Sequence, residues 1–211
     1  PSYLREGGDN PFGIPQHKPS YSLRVINNIV TYHSRPRPAF GDIDGDGDLD
    51  LFLGDSVGHT LFFRNIGSAS NPAFTREGGN NPFGITQVQS QASPTLADVD
   101  ADGDLDLLMG MGSGRTIFYR NTGSASNPTF ILEDVGAEDG YLEKDWVSSL
   151  GIRTFRYDSK PTLGDIDNDG DLDLFIGNTY GQIFFLRNTS ATPLAPIHAT
   201  TADGSYGIGD L

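Results

Sequence analysis

Three copies of one acidic pattern, Asp-x-Asp-x-Asp-Gly-Asp-x-Asp, constrain this chain more than any other feature. They are Asp42, Asp44, Asp46, Asp48 and Asp50; Asp98, Asp100, Asp102, Asp104 and Asp106; and Asp165, Asp167, Asp169, Asp171 and Asp173. An apolar run follows each copy. An Arg-Asn pair (Arg64-Asn65, Arg120-Asn121, Arg187-Asn188) then begins 22 positions after the first Asp in all three. The first Asp residues of successive copies are 56 and 67 positions apart, so all the length variation falls after Arg-Asn. A constant front with a variable rear is the mark of one supersecondary unit that takes loop insertions on one side.

The rear repeats as well. Arg64 to Pro72 matches Arg120 to Pro128 at eight of nine positions, and Arg5 to Ile14 matches Arg76 to Ile85 at nine of ten. The chain thus opens on the tail of a repeat and continues with three whole ones. Each repeat reads as four short strands. In the first repeat these are Pro38 to Asp42, Leu49 to Leu53, Thr60 to Arg64, and a fourth beginning over Ala73 to Arg76, with Gly, Ser, Asn and Pro clusters between them. Antiparallel units of this kind, repeated along a chain, predict an all-β fold of propeller blades. The 27 glycines and 13 prolines fit such a turn-rich chain. The expected organisation is a single repeat domain over 1–211. It has a partial blade and hairpin at 1–35 and blades at 36–89, 90–157 and 158–211. Two inserts stand apart: an extra hairpin over Tyr21 to His33 around Asn27-Asn28, and residues 133–155, which carry Trp146 and a possible helical turn.

The acidic loops carry the chemistry. Calcium is a hard cation that takes roughly six to eight oxygens. Carboxylates at positions 1, 3 and 5 of such a loop converge on one centre, and Gly at position 6 permits the sharp turn. The carbonyl of position 7 and the Asp at position 9 complete the set. The predicted side-chain ligands are Asp42, Asp44, Asp46 and Asp50, then Asp98, Asp100, Asp102 and Asp106, then Asp165, Asp167, Asp169 and Asp173. Asp48, Asp104 and Asp171 contribute by carbonyl, giving about three calcium ions per chain. An EF-hand would need Glu at position 12 between two helices, but position 12 here is Leu53, Met109 or Ile176. Magnesium seldom uses an all-protein cage, and soft metals would want His or Cys. The alternative reading, solvated acidic turns, leaves mutually repelling carboxylates in three copies without a counter-ion.

These residues resemble the FG-GAP/VCBS repeat of integrin-α-like propellers: Asp-x-Asp-x-Asp-Gly-Asp-Leu-Asp-Leu, then Arg-Asn-Thr-Gly in the second copy. The name-giving Phe-Gly…Gly-Ala-Pro is reduced here to Asn-Pro-Phe-Gly at 10–13 and 81–84. The resemblance implies blades around an axis, calcium on the rim loops, and work in adhesion, ligand binding or scaffolding. Some such proteins are lectins and others are accessory domains of secreted enzymes, and these stand as alternative functions. A closed propeller takes about four to eight blades. The repeat count therefore leaves three options: a fragment of a longer propeller, a small ring completed by the N-terminal strands, or head-to-tail joining of copies into a ring or filament. The reading leans toward a fragment or intermolecular completion.

Other chemistry is sparse. The chain has no cysteine, so neither a disulfide nor a thiolate nucleophile is available. His17, His33, His59 and His198 share no ligand spacing and are expected on the surface. No nucleophile elbow, phosphate loop or dinucleotide motif occurs, and the chain is expected not to be an enzyme. A formal charge of -14 repels phosphate backbones and argues against nucleic acid. No apolar run spans a bilayer. The expected setting is secreted or cell-surface, with calcium and either a protein (self or cell-surface) or a glycan as partner. The Arg-Asn pairs are expected to fix the turn after the third strand rather than to form a ligand rim. Tyr141, Trp146, Phe155 and Tyr157 are candidates either to grip a partner or to cap the core. Asn188-Thr-Ser is a glycosylation sequon.

Overall fold

The computed structural model describes residues 24–26, 29–31, 35–124, 127–133 and 158–188. Two short strands, β1 (Arg24–Ile26) and β2 (Ile29–Thr31), pair antiparallel with Ile26 opposite Ile29. The hairpin expected around Asn27-Asn28 is therefore present.

Three larger antiparallel sheets follow. The first contains β3 (Arg37–Gly41), β4 (Asp50–Gly54), β5 (Thr60–Asn65) and β6 (Phe74–Glu77) in sequential order. The second repeats it with β7 (Ser93–Ala97), β8 (Asp106–Gly110), β9 (Thr116–Asn121) and β10 (Phe130–Leu132). The third holds β11 (Lys160–Gly164), β12 (Asp173–Gly177) and β13 (Ile183–Leu186). The fourth strand expected of that repeat, the 133–155 insert apart from Glu133, and three of the histidines (His17, His33, His198) fall outside the described residues, as do Tyr141, Trp146, Phe155 and Tyr157. No helix occurs among the described residues.

The strand limits differ slightly from the sequence reading, each for a local reason. Asp42 leaves β3 because its carboxylate turns onto the N–H groups of Asp46 and Gly47. Asp50 joins β4, opposite Gly41, because it is buried at the strand's start. Leu49 stays outside, 56% exposed. Asn65 extends β5, and Ala73 is held in the turn by Asn65 Oδ1, which delays β6 to Phe74.

β7 packs beside both β3 and β11, so the first strands of the three sheets stand in order β3, β7, β11. Side chains alternate along each strand. One cluster, including Phe52, Phe62, Leu107, Met109 and Tyr119, fills the space between the first and second sheets. Another, including Leu108, Phe118, Leu174 and Ile176, lies between the second and third. β8 is therefore buried on both faces, which is why Leu107-Leu-Met109 reads as an unbroken apolar run. Burying one such side chain contributes roughly 1.5–3 kcal/mol. The starts of the three sheets are tied together by Arg37, whose NH2 donates at 2.7 Å to Gln91 and at 2.7 Å to Asp158.

Candidate metal centre

Each acidic loop joins the first two strands of its sheet. In the first, one carboxylate oxygen from each of Asp42, Asp44 and Asp46 lies within 4.8 Å of the others. Asp165, Asp167 and Asp169 form the same group in the third loop, and Asp98, Asp100 and Asp106 form one in the second. Backbone N–H groups hold these carboxylates in a repeated pattern. Asp42 Oδ1 accepts from Asp46 N–H at 3.1 Å, and its Oδ2 accepts from Gly47 N–H at 2.9 Å. Asp98 receives Asp102 and Gly103 N–H at 3.1 Å each. Asp165 receives Asp169 and Gly170 N–H at 3.2 and 3.1 Å. The N–H of position 7 donates to position 5 in all three loops: Asp48 to Asp46, Asp104 to Asp102 and Asp171 to Asp169.

The turn needs glycine at position 6, where φ is 92° for Gly47 and 96° for Gly103 and Gly170. That is left-handed backbone, which glycine enters without a Cβ clash.

Position 9 plays a distinct part. Asp50, Asp106 and Asp173 are each 1% exposed. Their Oδ1 atoms accept the N–H of Asn65, Asn121 and Asn188 at 2.7, 2.8 and 2.9 Å. These bonds stitch the loop to the end of the third strand. Burial pushes the carboxyls of Asp50 and Asp106 up to about 6, against the opposing pull of the Asn N–H bonds. Asp50 Oδ2 is buried without a hydrogen-bond partner among the described residues. In the other two loops the same oxygen accepts a backbone N–H, that of Val99 on Asp106 at 3.1 Å and that of Ile166 on Asp173 at 3.3 Å.

The Arg-Asn pairs do more than the expected turn-fixing. Asn does hold the turn: Asn65 Oδ1 accepts from Gly67 and Ala73, and Asn121 Oδ1 from Gly123 and Thr129. Arg instead reaches back to the loop. Arg64 pairs with Asp44, Arg120 with Asp100, and Arg187 with Asp167, the last at 3.0 Å. All three are position 3 Asp residues. Each guanidinium also lies over the Phe two residues earlier, 5.4 to 5.9 Å from the ring centroid. Arg64 and Arg120 extend the link outward to Glu77 and Glu133 at 2.7 and 2.6 Å. Burial alone would lower the Arg64 pKa, but Glu77, Asp44 and Asp50 together raise it. The constant 22-residue spacing was the sequence signal for this partnership.

The remaining candidates resolve differently. His59 is not a free surface residue: it is half-buried, with Nδ1 3.0 Å from Asp55 Oδ2. Asn188, the sequon residue, is 6% exposed, and its backbone N–H donates to Asp173 Oδ1.

Residues 42–109, from the first acidic Asp to the strand after the second loop, match the family model of the FG-GAP-like repeat. Over that third of the chain the sequence is similar to FG-GAP-like repeats. No curated protein matches it. Within the FG-GAP-like region lie two of the acidic loops, Arg64, and the tail through Ile85 that the N-terminal segment duplicates. Its carboxylate groups could hold a metal ion, and the all-oxygen donor set is that of a hard cation.

Proposed function

We propose that this chain is a non-catalytic, calcium-stabilised repeat module of the propeller type, working outside the cell in adhesion, scaffolding or self-assembly. The observation that carries the reading is a group of three convergent carboxylates on the same hairpin of three successive sheets, from loop positions 1, 3 and 5 in the first and third and positions 1, 3 and 9 in the second. Asp42, Asp44, Asp46 and Asp50 and their counterparts would hold the ion. When bound, calcium supplies positive charge that offsets carboxylate repulsion and joins both ends of the hairpin. The protein's own contribution is the glycine turn, the N–H cradle and the arginine paired with the position 3 Asp, which keep the oxygens gathered. FG-GAP repeats are typically extracellular, which supports the setting. Among the described residues no helix is long and apolar enough to cross a membrane. A carboxylate engaged with calcium is a poor proton donor, so the same clusters do not suit hydrolysis.

Scanning calorimetry in millimolar calcium and in excess chelator tests this reading. A ligand at a hundred times its Kd adds about 2.7 kcal/mol per site, so the Tm should fall sharply on chelation. An unchanged Tm would remove the structural role of calcium.

A further inference from the structure

The junction between sheets is made twice among the described residues, and no described residue continues it past the third sheet. Where the first sheet meets the second, a Cβ on Gly54 would lie 2.1 Å from the Ala92 carbonyl oxygen. Where the second meets the third, a Cβ on Gly110 would lie 2.2 Å from that of Ser159. Gly177 is the equivalent residue of the third sheet, and no described residue lies within 4 Å of its Cβ position. The aromatic pattern agrees. In the first sheet Phe62 packs against Phe52 at 5.0 Å and is covered edge-on by Phe83 at 4.9 Å. The third sheet has the matching pair, Phe175 and Phe185 at 4.8 Å, but both are half-exposed. Ile183 at its edge is 43% exposed.

The segment that covers Phe62 is Asn81-Pro-Phe-Gly-Ile85, which follows β6. It is bonded to both sheets: Asn81 N–H donates to the Thr60 carbonyl, and Phe130 N–H to that of Phe83. The N-terminus carries a spare copy of strand and cover together. Tyr3-Leu-Arg-Glu6 stands where Phe74–Glu77 forms β6, and Asn10-Pro-Phe-Gly-Ile14 repeats the cover. The third repeat, meanwhile, differs from the other two at the residues that turn the chain into the fourth strand. At Gly67 and Gly123 a Cβ would strike the backbone carbonyls of Asn71 and Asn127 at 2.4 and 2.2 Å, yet the third repeat has Ser190 there. Ala73 and Thr129 each donate an N–H to the turn Asn, and the third repeat has Pro196, which has none.

We infer that the open face and β13 edge of the third sheet receive residues Tyr3 to Ile14 of a second copy of this chain, with Glu6 paired to Phe185 and Phe12 seated on the Phe175–Phe185 pair. This rests on the self-assembly part of the function proposed above and names its surface and partner. A second copy is favoured over the same chain because β3, β7 and β11 stand in series, with the second sheet between the first and the third. Two copies joined reciprocally bring six such sheets together, inside the roughly four to eight that close a ring. The junction would continue the one already built twice: Gly177 would meet Pro36 and Pro38 of the incoming copy, as Gly54 meets Ala92 and Pro94.

The chain lacks cysteine, so an engineered disulfide is a clean reporter. Cross-strand neighbours sit roughly 4.5–5.5 Å apart at Cα, within disulfide reach. The double variant Glu6→Cys with Phe185→Cys, oxidised in calcium, should run as a covalent dimer on non-reducing gels. Light scattering of the unaltered chain should give a dimer, and Gly177→Val, whose Cβ meets no described residue of its own chain, should convert it to a monomer. A monomer with both thiols consumed would mean the chain's own N-terminus is the occupant and overturn the inference. So would retained thiols, an unaltered chain that is monomeric, or a Gly177→Val dimer. Thr200→Cys with Phe185→Cys closing within one chain would assign the face to the C-terminal segment instead. Chelator-dependent Tm, measured in parallel, reports on the calcium reading independently of these outcomes.

Discussion

Within each loop, the two residues that bend the backbone are the fourth and the sixth. Position 4 is left-handed in every copy, with φ of 71° at Gly45 and 59° at both Ala101 and Asn168. Alanine is the costly choice there, by about 1–2 kcal/mol, so Ala101→Gly should raise the Tm, by up to about 1 kcal/mol of stability. Equilibrium denaturation in chelator, where no ion masks the effect, would measure it. The buried position 9 carboxyls make a pH prediction whose sign can be worked out. Asp50 and Asp106 titrate near 6, above the ordinary 3.8, because burial disfavours their charged forms. The metal-free fold thus holds these protons more tightly than the unfolded chain. Their stabilisation is full below about pH 4 and is lost as pH rises through 6. Stripped of metal, the protein should lose this contribution between pH 4 and 7, whereas calcium affinity should increase over the same range. Asp106→Asn should flatten the metal-free dependence, read as Tm against pH in chelator. The sequence made the acidic residues and the turn glycine legible, since type and spacing carry that chemistry. It did not separate position 9 from the others, because burial comes from the packed sheet and not from the loop.

At the scale of the hairpin, the acidic loop, the third strand and the fourth strand are joined by one arginine. Arg120 contacts Asp100 on the loop and grips Glu133, just past β10, with two hydrogen bonds of 2.6 and 3.1 Å. Lysine keeps the charge but not the planar fork. Arg120→Lys should therefore cost about 1–2 kcal/mol in calcium, in line with hydrogen bonds to charged groups. It should cost more in chelator, where Arg120 is the nearest cation to Asp100. A urea titration of both forms with and without calcium checks the difference. Equal losses in the two conditions would mean that arginine and ion act independently. Strand number and order in the first two sheets were legible because alternating apolar residues and Gly-Asn-Pro turns mark them. The reach of Arg64, Arg120 and Arg187 was not. Fixed spacing along a strand reveals a partnership, but not that the guanidinium folds back onto the loop instead of outward.

Across the whole molecule, sheets stack through glycines at the ends of their second strands. Gly110→Ala would drive a Cβ into the Ser159 carbonyl and to 2.6 Å from Pro161 Cδ, both on the neighbouring sheet. Overpacking of this kind typically costs about 1–3 kcal/mol, seen as a lower urea midpoint. Asp158 ties the same region from the other side: it is 4% exposed and pairs with Arg37 and Lys160. Asp158→Ala would leave the Arg37 charge mostly buried and uncompensated, a loss of about 3 kcal/mol or more, checked by the same titration. Repeat period and the duplicated tail were legible in the sequence. The Arg37–Gln91–Asp158 tie was not: Gln91 and Asp158 hold the same place, seven residues before the first Asp of their loops, but differ in residue type, and Arg37 stands two positions further along in its own repeat. The proposed function depends on the loops holding ions. The most direct test is isothermal titration of the chelator-stripped chain with calcium. The account predicts saturable binding at about three sites, abolished at one of them by Asp98→Ala with Asp100→Ala. Absence of saturable binding up to millimolar calcium would contradict it.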